Sequence, residues 1–161
     1  MLRLRRSGPH RGREQITELY ALADRMLAML ELPVVFPPAL LHERVQRRRG
    51  RPVRLIARDL PPPAPHGLLI VGDRADYVFY DAAADPVRRH QIIGHEFGHL
   101  LFDDDPGASE RSYYHAAAER RAEIFGTVAL QRMADWAVRP GDPAEPSTLE
   151  RIGVALAGRH R

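Results

Sequence analysis

Apolar residues recur at helical spacing from about Arg13 to Leu30, where Ile16, Leu19, Tyr20, Ala23, Leu27 and Leu30 form one stripe. The prolines of Leu32-Pro33 and Pro37-Pro38 break that pattern. A second helix is expected from Ala39 to Arg49, carried by Leu40, Leu41 and Val45 and stopped at Gly50. Residues 51–60 read as a strand rich in Val, Leu and Ile, and Pro61-Pro62-Pro63-Ala64-Pro65 as a stiff extended connection. Two β-prone runs, Gly67 to Val71 and Asp76 to Tyr80, flank Gly72-Asp73-Arg74-Ala75 and predict a hairpin. Together with 51–60 they make a small three-stranded sheet.

The next helix starts at Asp85-Pro86, an N-cap followed by a proline at the first helical position. Val87, Ile93, Phe97, Leu100 and Leu101 supply its apolar positions, and Asp103-Asp104-Asp105-Pro106-Gly107 ends it. Three acids at a helix C-terminus oppose the dipole, so Asp103 and its neighbours act as a stop or serve a site nearby. A long helix is expected over about 113–137. Ser147-Thr148-Leu149-Glu150 is a capping box that opens a last segment reaching about Ala157, with Leu149, Ile152 and Leu156 on one face. The pattern is α+β, with helices first, a small sheet, then helices. It predicts a flexible basic arm over 1–12 and a single domain over 13–161.

Composition changes this picture little. A chain of 161 residues with 44% hydrophobic content supports one folded core. There is no cysteine, which excludes disulfides and confines metal ligands to His, Asp and Glu. No apolar run reaches membrane-spanning length and no signal-like apolar stretch follows the first arginines, so a cytoplasmic address is expected. All 24 basic residues are arginine, with no lysine and no asparagine, as a high-GC coding sequence would give. The net charge of +3 is modest. Two arginine clusters stand out, Arg3, Arg5, Arg6, Arg11 and Arg13, and Arg47, Arg48, Arg49 and Arg51. Solvated charge is the expected role for both, and direct nucleic-acid binding the lesser alternative.

The chemistry is concentrated in His95-Glu96-Phe97-Gly98-His99. Histidines four apart on a helix project from one face and can share a metal ion, and the spacing suits zinc. Glu96 follows the first ligand, where a carboxylate can take a proton from an activated water. A catalytic zinc needs a third protein ligand. Asp105, His115, Glu119 and Glu123 are the candidates. Asp105 is at the spacing of sites that turn sharply on a glycine, but Phe102 stands where that glycine would be. Glu119 leaves room for a loop and a crossing helix. It also heads a stripe of small residues, Ala122, Gly126 and Ala129, that Gly94 and Gly98 can meet. Glu119 is therefore the expected ligand, and Glu123, one turn on, the expected partner of an imidazole N–H.

His95-Glu96-Phe97-Gly98-His99-Leu100-Leu101, followed by Glu119-x-x-Ala122-x-x-Phe125, resembles the ImmA/IrrE family of zinc metallopeptidases. The resemblance covers roughly residues 37–135. It implies a zincin-like fold, His95, His99 and Glu119 as zinc ligands, and Glu96 as catalytic base. Glu123 stands where that family usually has Asn or Asp. The family's known members cleave helix-turn-helix repressors in stress response or mobile-element control, and small stand-alone members are often labelled toxins of toxin–antitoxin pairs.

The expected activity is thus a zinc endopeptidase acting on a partner regulator, with no membrane and no direct nucleic-acid partner, as a monomer or weak oligomer. An extended substrate is expected along an edge of the sheet, at the 76–80 strand. Tyr77, Tyr80, Tyr113, Tyr114 and His115 are candidates to steady an oxyanion. The alternative is a non-catalytic protein whose zinc is structural and which sequesters a helix-turn-helix regulator. A fourth protein ligand, Asp105 or His115, would favour it.

Overall fold

The computed structural model describes residues 9–59, 67–102 and 112–137, with side chains described from residue 15 and, in the last helix, over 116–135. Helix α1 runs over Pro9–Met29, starting four residues before the expected Arg13. Its second half is core: Ala23, Met26 and Leu27 are buried, as is Leu30 just beyond its end. Ile16 and Tyr20, expected on the same stripe, are exposed. The chain leaves α1 through Glu31, whose φ of 55° lets Leu32 N–H return to Leu27 O.

Helix α2 spans Pro38–Arg49 and buries Leu41 and Val45. Gly50, at φ 67°, caps it and donates to the carbonyls of Gln46 and Arg47, as the sequence predicts. Strands β1 (Val53–Arg58), β2 (Gly67–Val71) and β3 (Asp76–Asp81) form one mixed sheet in the order β1-β3-β2. The hairpin is present, with β2 antiparallel to β3 and Leu69 opposite Val78. The other side of β3 pairs in parallel with β1, Leu55 opposite Val78.

That order corrects one expectation. The 76–80 strand is the centre of the sheet, paired on both sides, and has no edge for a substrate. Parallel pairing with β1 occupies the edge that the hairpin alone would leave open. Among the described residues the outer strands of the sheet are β1 and β2.

Helix α3 covers Pro86–Leu101 and α4 covers Ser112–Ala137. Val53, Leu69 and Val78 face the helices from the sheet, and Phe36, Phe97 and Phe125 are fully buried between the layers. Val87, counted among the apolar positions of α3, is exposed at its first turn. A buried ion cluster joins the layers: Asp76, fully buried, is 2.8 Å from Arg49 Nε and 2.8 Å from Arg51 Nη2, while Arg49 also donates to Leu100 O. The fold is α+β, with four helices and a three-stranded mixed sheet among the described residues. None of these helices is long and apolar enough to cross a membrane.

Candidate metal centre

Asp85 caps α3 by accepting from Arg88 N–H at 2.9 Å, with Pro86 in the first turn. The helix then runs unbroken to Leu101, so His95 and His99 fall one turn apart on one face. It ends at Phe102, with φ −90° and ψ 5°, outside the left-handed region. The sharp glycine-type turn toward Asp105 is not made at this residue.

Small residues decide how α4 lies on α3. A β-carbon on Gly98 would stand 2.7 Å from Ala122 Cα, and one on Gly94 would stand 3.2 Å from Gly126 Cα. On Gly126 it would meet the backbone nitrogen of His95 at 2.9 Å. The two backbones are therefore in near contact beside the histidines, as the stripe of small residues predicts. This contact puts Glu119 within reach of the imidazoles.

The resulting triad is tight. His95 Nε2 and His99 Nε2 are 3.1 Å apart, with the rings edge-on at 76°. Glu119 Oε2 is 3.3 Å from His95 Nε2, and Oε1 is 3.3 Å from His99 Nε2. Four ligands at zinc-like bond lengths of about 2.0–2.1 Å stand about 3.3–3.4 Å apart at the corners of a tetrahedron. The three donors have the spacing and the chemistry, two imidazoles and a carboxylate, to hold one divalent metal ion. His95 Nδ1 lies 3.4 Å from Glu123 Oε2, which suits an outer carboxylate that fixes the ring's orientation.

The Glu96 carboxylate lies against Gly67 at the start of β2, and the residue is only 8% exposed. Burial, with the charge of Glu119 second, pushes its carboxyl up to about 7. A cation held by the neighbouring histidines acts in the opposite direction.

The other predicted residues divide into two groups. Tyr80 packs on the core, with the Arg89 guanidinium 5.4 Å from its ring centroid, beside the first half of α3. Tyr77 is half-buried on the opposite face of β3 from Tyr80. Asp103 and Asp105 lie outside the described residues, as do the side chains of Tyr113, Tyr114 and His115. Of the second arginine cluster, Arg47 pairs with Glu43 and Glu31, and Arg49 and Arg51 with Asp76. These three arginines serve the fold. One neighbour of the site was missed from sequence: Gly67, the first residue of β2, lies directly against Glu96. A glycine opening a strand carries no signal of that contact.

Fold and site thus define an α+β protein with a His-His-Glu group able to hold a metal ion. No protein-family model, no curated protein and no solved structure matches this chain.

Proposed function

We propose that this protein is a zinc-dependent endopeptidase of zincin-like architecture, as its resemblance to the ImmA/IrrE family implies. The observation that carries the proposal is the convergence of His95, His99 and Glu119 donors at 3.1–3.3 Å, with the Glu96 carboxylate buried beside them. His95 and His99 from α3 and Glu119 from α4 would hold the ion. A bound zinc supplies Lewis acidity that polarises a peptide carbonyl and acidifies water.

The remaining work falls to the chain. Glu123, at 3.4 Å from His95 Nδ1, orients the His95 ring and leaves its Nε2 on the side of His99 and Glu119. Glu96 accepts the proton of the attacking water at its carboxylate and returns it to the leaving amine. Its burial lowers the competition from bulk water for that proton. An extended substrate segment adds to the outer edge of β2, which begins against Glu96. The substrate class is a partner regulator of the helix-turn-helix kind, in regulatory proteolysis of a toxin–antitoxin, mobile-element or stress circuit. This part rests on the family resemblance alone.

The test is to incubate the zinc-loaded protein with helix-turn-helix regulators from the same genome, beginning with any encoded beside it, and follow each regulator by mass spectrometry. Wild type is expected to cleave it, and Glu96→Gln to retain stoichiometric zinc and leave it intact. Cleavage at the wild-type rate by Glu96→Gln would sink the mechanism. A wild type that binds the regulator without cutting it would favour the sequestering alternative.

A further inference from the structure

Ile92 and Glu96 lie one turn apart on α3 and face the first residue of β2. That residue is Gly67, held in the ladder opposite Tyr80. A β-carbon on Gly67 would overlap Glu96 Oε1 and stand 3.2 Å from Glu96 Cδ and 2.7 Å from Ile92 Cγ2. Gly50 is the one described glycine with positive φ, so backbone conformation does not call for a glycine at 67. Space does.

We propose that Gly67 is a positioning residue for Glu96: its bare α-carbon leaves the volume that the carboxylate occupies and bounds it on the sheet side. The inference rests on Glu96 being the proton acceptor of the proposed peptidase. Three groups meet at this point, and they do not yield equally. The strand is held by its pairing with β3. Ile92 Cγ2 sits on a branched carbon and moves only if χ1 turns. The Glu96 carboxylate, at the end of a flexible side chain, is the group that gives way. A methyl at 67 therefore displaces the base. The donor atoms of His95, His99 and Glu119 are not among the atoms nearest to that methyl, so metal binding is left in place.

The test uses the full chain, zinc-loaded and 13C-labelled at the glutamate side-chain carboxyls, at one fixed pH. The Glu96 resonance is identified by its loss in Glu96→Gln. Gly67→Ala is expected to bind one zinc with affinity within about two-fold of wild type, while its Glu96 resonance moves toward those of exposed glutamates. A Glu96 resonance unchanged in Gly67→Ala overturns the proposal, and so does loss of zinc together with the shift. Should Gly67→Ala fail to fold, Gly67→Ala/Ile92→Ala removes one of the two collisions and carries the same measurement. Fluorescently labelled casein supplies a second readout. A positioned general base contributes about 10²–10⁴-fold, so kcat in Gly67→Ala should fall by about ten-fold or more with KM little changed. If wild type leaves casein intact, broad peptidase specificity is what suffers, and the carboxyl resonance still decides the role of Gly67.

Discussion

His99 Nε2 lies 3.3 Å from Glu119 Oε1, across a helix contact that brings residues from α3 and α4 to one point. If that contact is half of a metal site, Glu119→Ala removes a ligand and not merely a surface charge. Loss of an outer-shell partner costs about 10–100-fold in metal affinity, so loss of Glu119 should cost more than about 100-fold. Glu123→Ala, which removes a half-exposed carboxylate at 3.4 Å from His95, should cost about ten-fold. Chelator competition with zinc measures both. Equal affinities for wild type and Glu119→Ala would remove Glu119 from the site.

The near contact of α3 and α4 predicts a different failure for Gly98→Ala. Alanine is favoured over glycine in a helix by about 1 kcal/mol. The new methyl, however, meets Ala122 Cα at 2.7 Å, and backbone yields poorly. Overpacking of this kind costs about 1–3 kcal/mol. Gly98→Ala should therefore melt lower than wild type and bind zinc more weakly, because α4 carries Glu119 away with it. Calorimetric melting of the metal-free and zinc-loaded forms separates the two effects. A variant more stable than wild type would show that the helices stand further apart.

Glu96 gives the metal-free protein a pH dependence of defined sign. Its carboxyl ionises near 4.5 when unfolded and at about 7 when folded. Between those values the folded state binds more protons than the unfolded one, so stability falls as pH rises from about 4.5 through about 7. The effect is on the order of 1–3 kcal/mol. Glu96→Gln should abolish that slope, and zinc should flatten it by favouring the carboxylate. Urea titrations at a series of pH values measure it. A metal-free wild type no less stable at pH 8 than at pH 5, relative to Glu96→Gln, would contradict it.

Much of this architecture is legible in the sequence. The caps of α2 and α3, at Gly50 and Asp85, are local chemistry, and local chemistry is written in adjacent residues. The Glu119 contact was legible because small residues on two helices mark where backbones can approach. The order of the strands was not. Nothing in β1 or β3 alone states that they pair in parallel, since that pairing joins residues distant in the sequence, Val53 with Asp76. The same limit hid Gly67 against Glu96, and it hid Asp76. An acid at the end of a hairpin turn looks solvated until Arg49 and Arg51 are folded over it.

Asp76 is the acid on which the low-pH stability of this fold should depend. Burial alone would raise its pKa, but hydrogen bonds and charge from Arg49 and Arg51 outweigh burial and hold the carboxyl below its usual 3.8. A folded pKa below the unfolded one means stabilisation that is fully present above about pH 4 and lost as pH falls below 3.8 through the folded value. The cluster ties the end of α2 to β3 and, through Arg49 and Leu100 O, to the end of α3. Removing one partner of a buried pair costs about 3–5 kcal/mol, because the partners left behind stay buried and uncompensated. The arginine side chains here retain 16% and 26% exposure, so the cost for Asp76→Asn should be nearer about 2–3 kcal/mol. Urea unfolding at pH 7 measures that loss. The same titration repeated down to pH 3 should show wild type converging on Asp76→Asn. A gap between the two that stays constant across that range would mean that the carboxylate is not what the arginines stabilise.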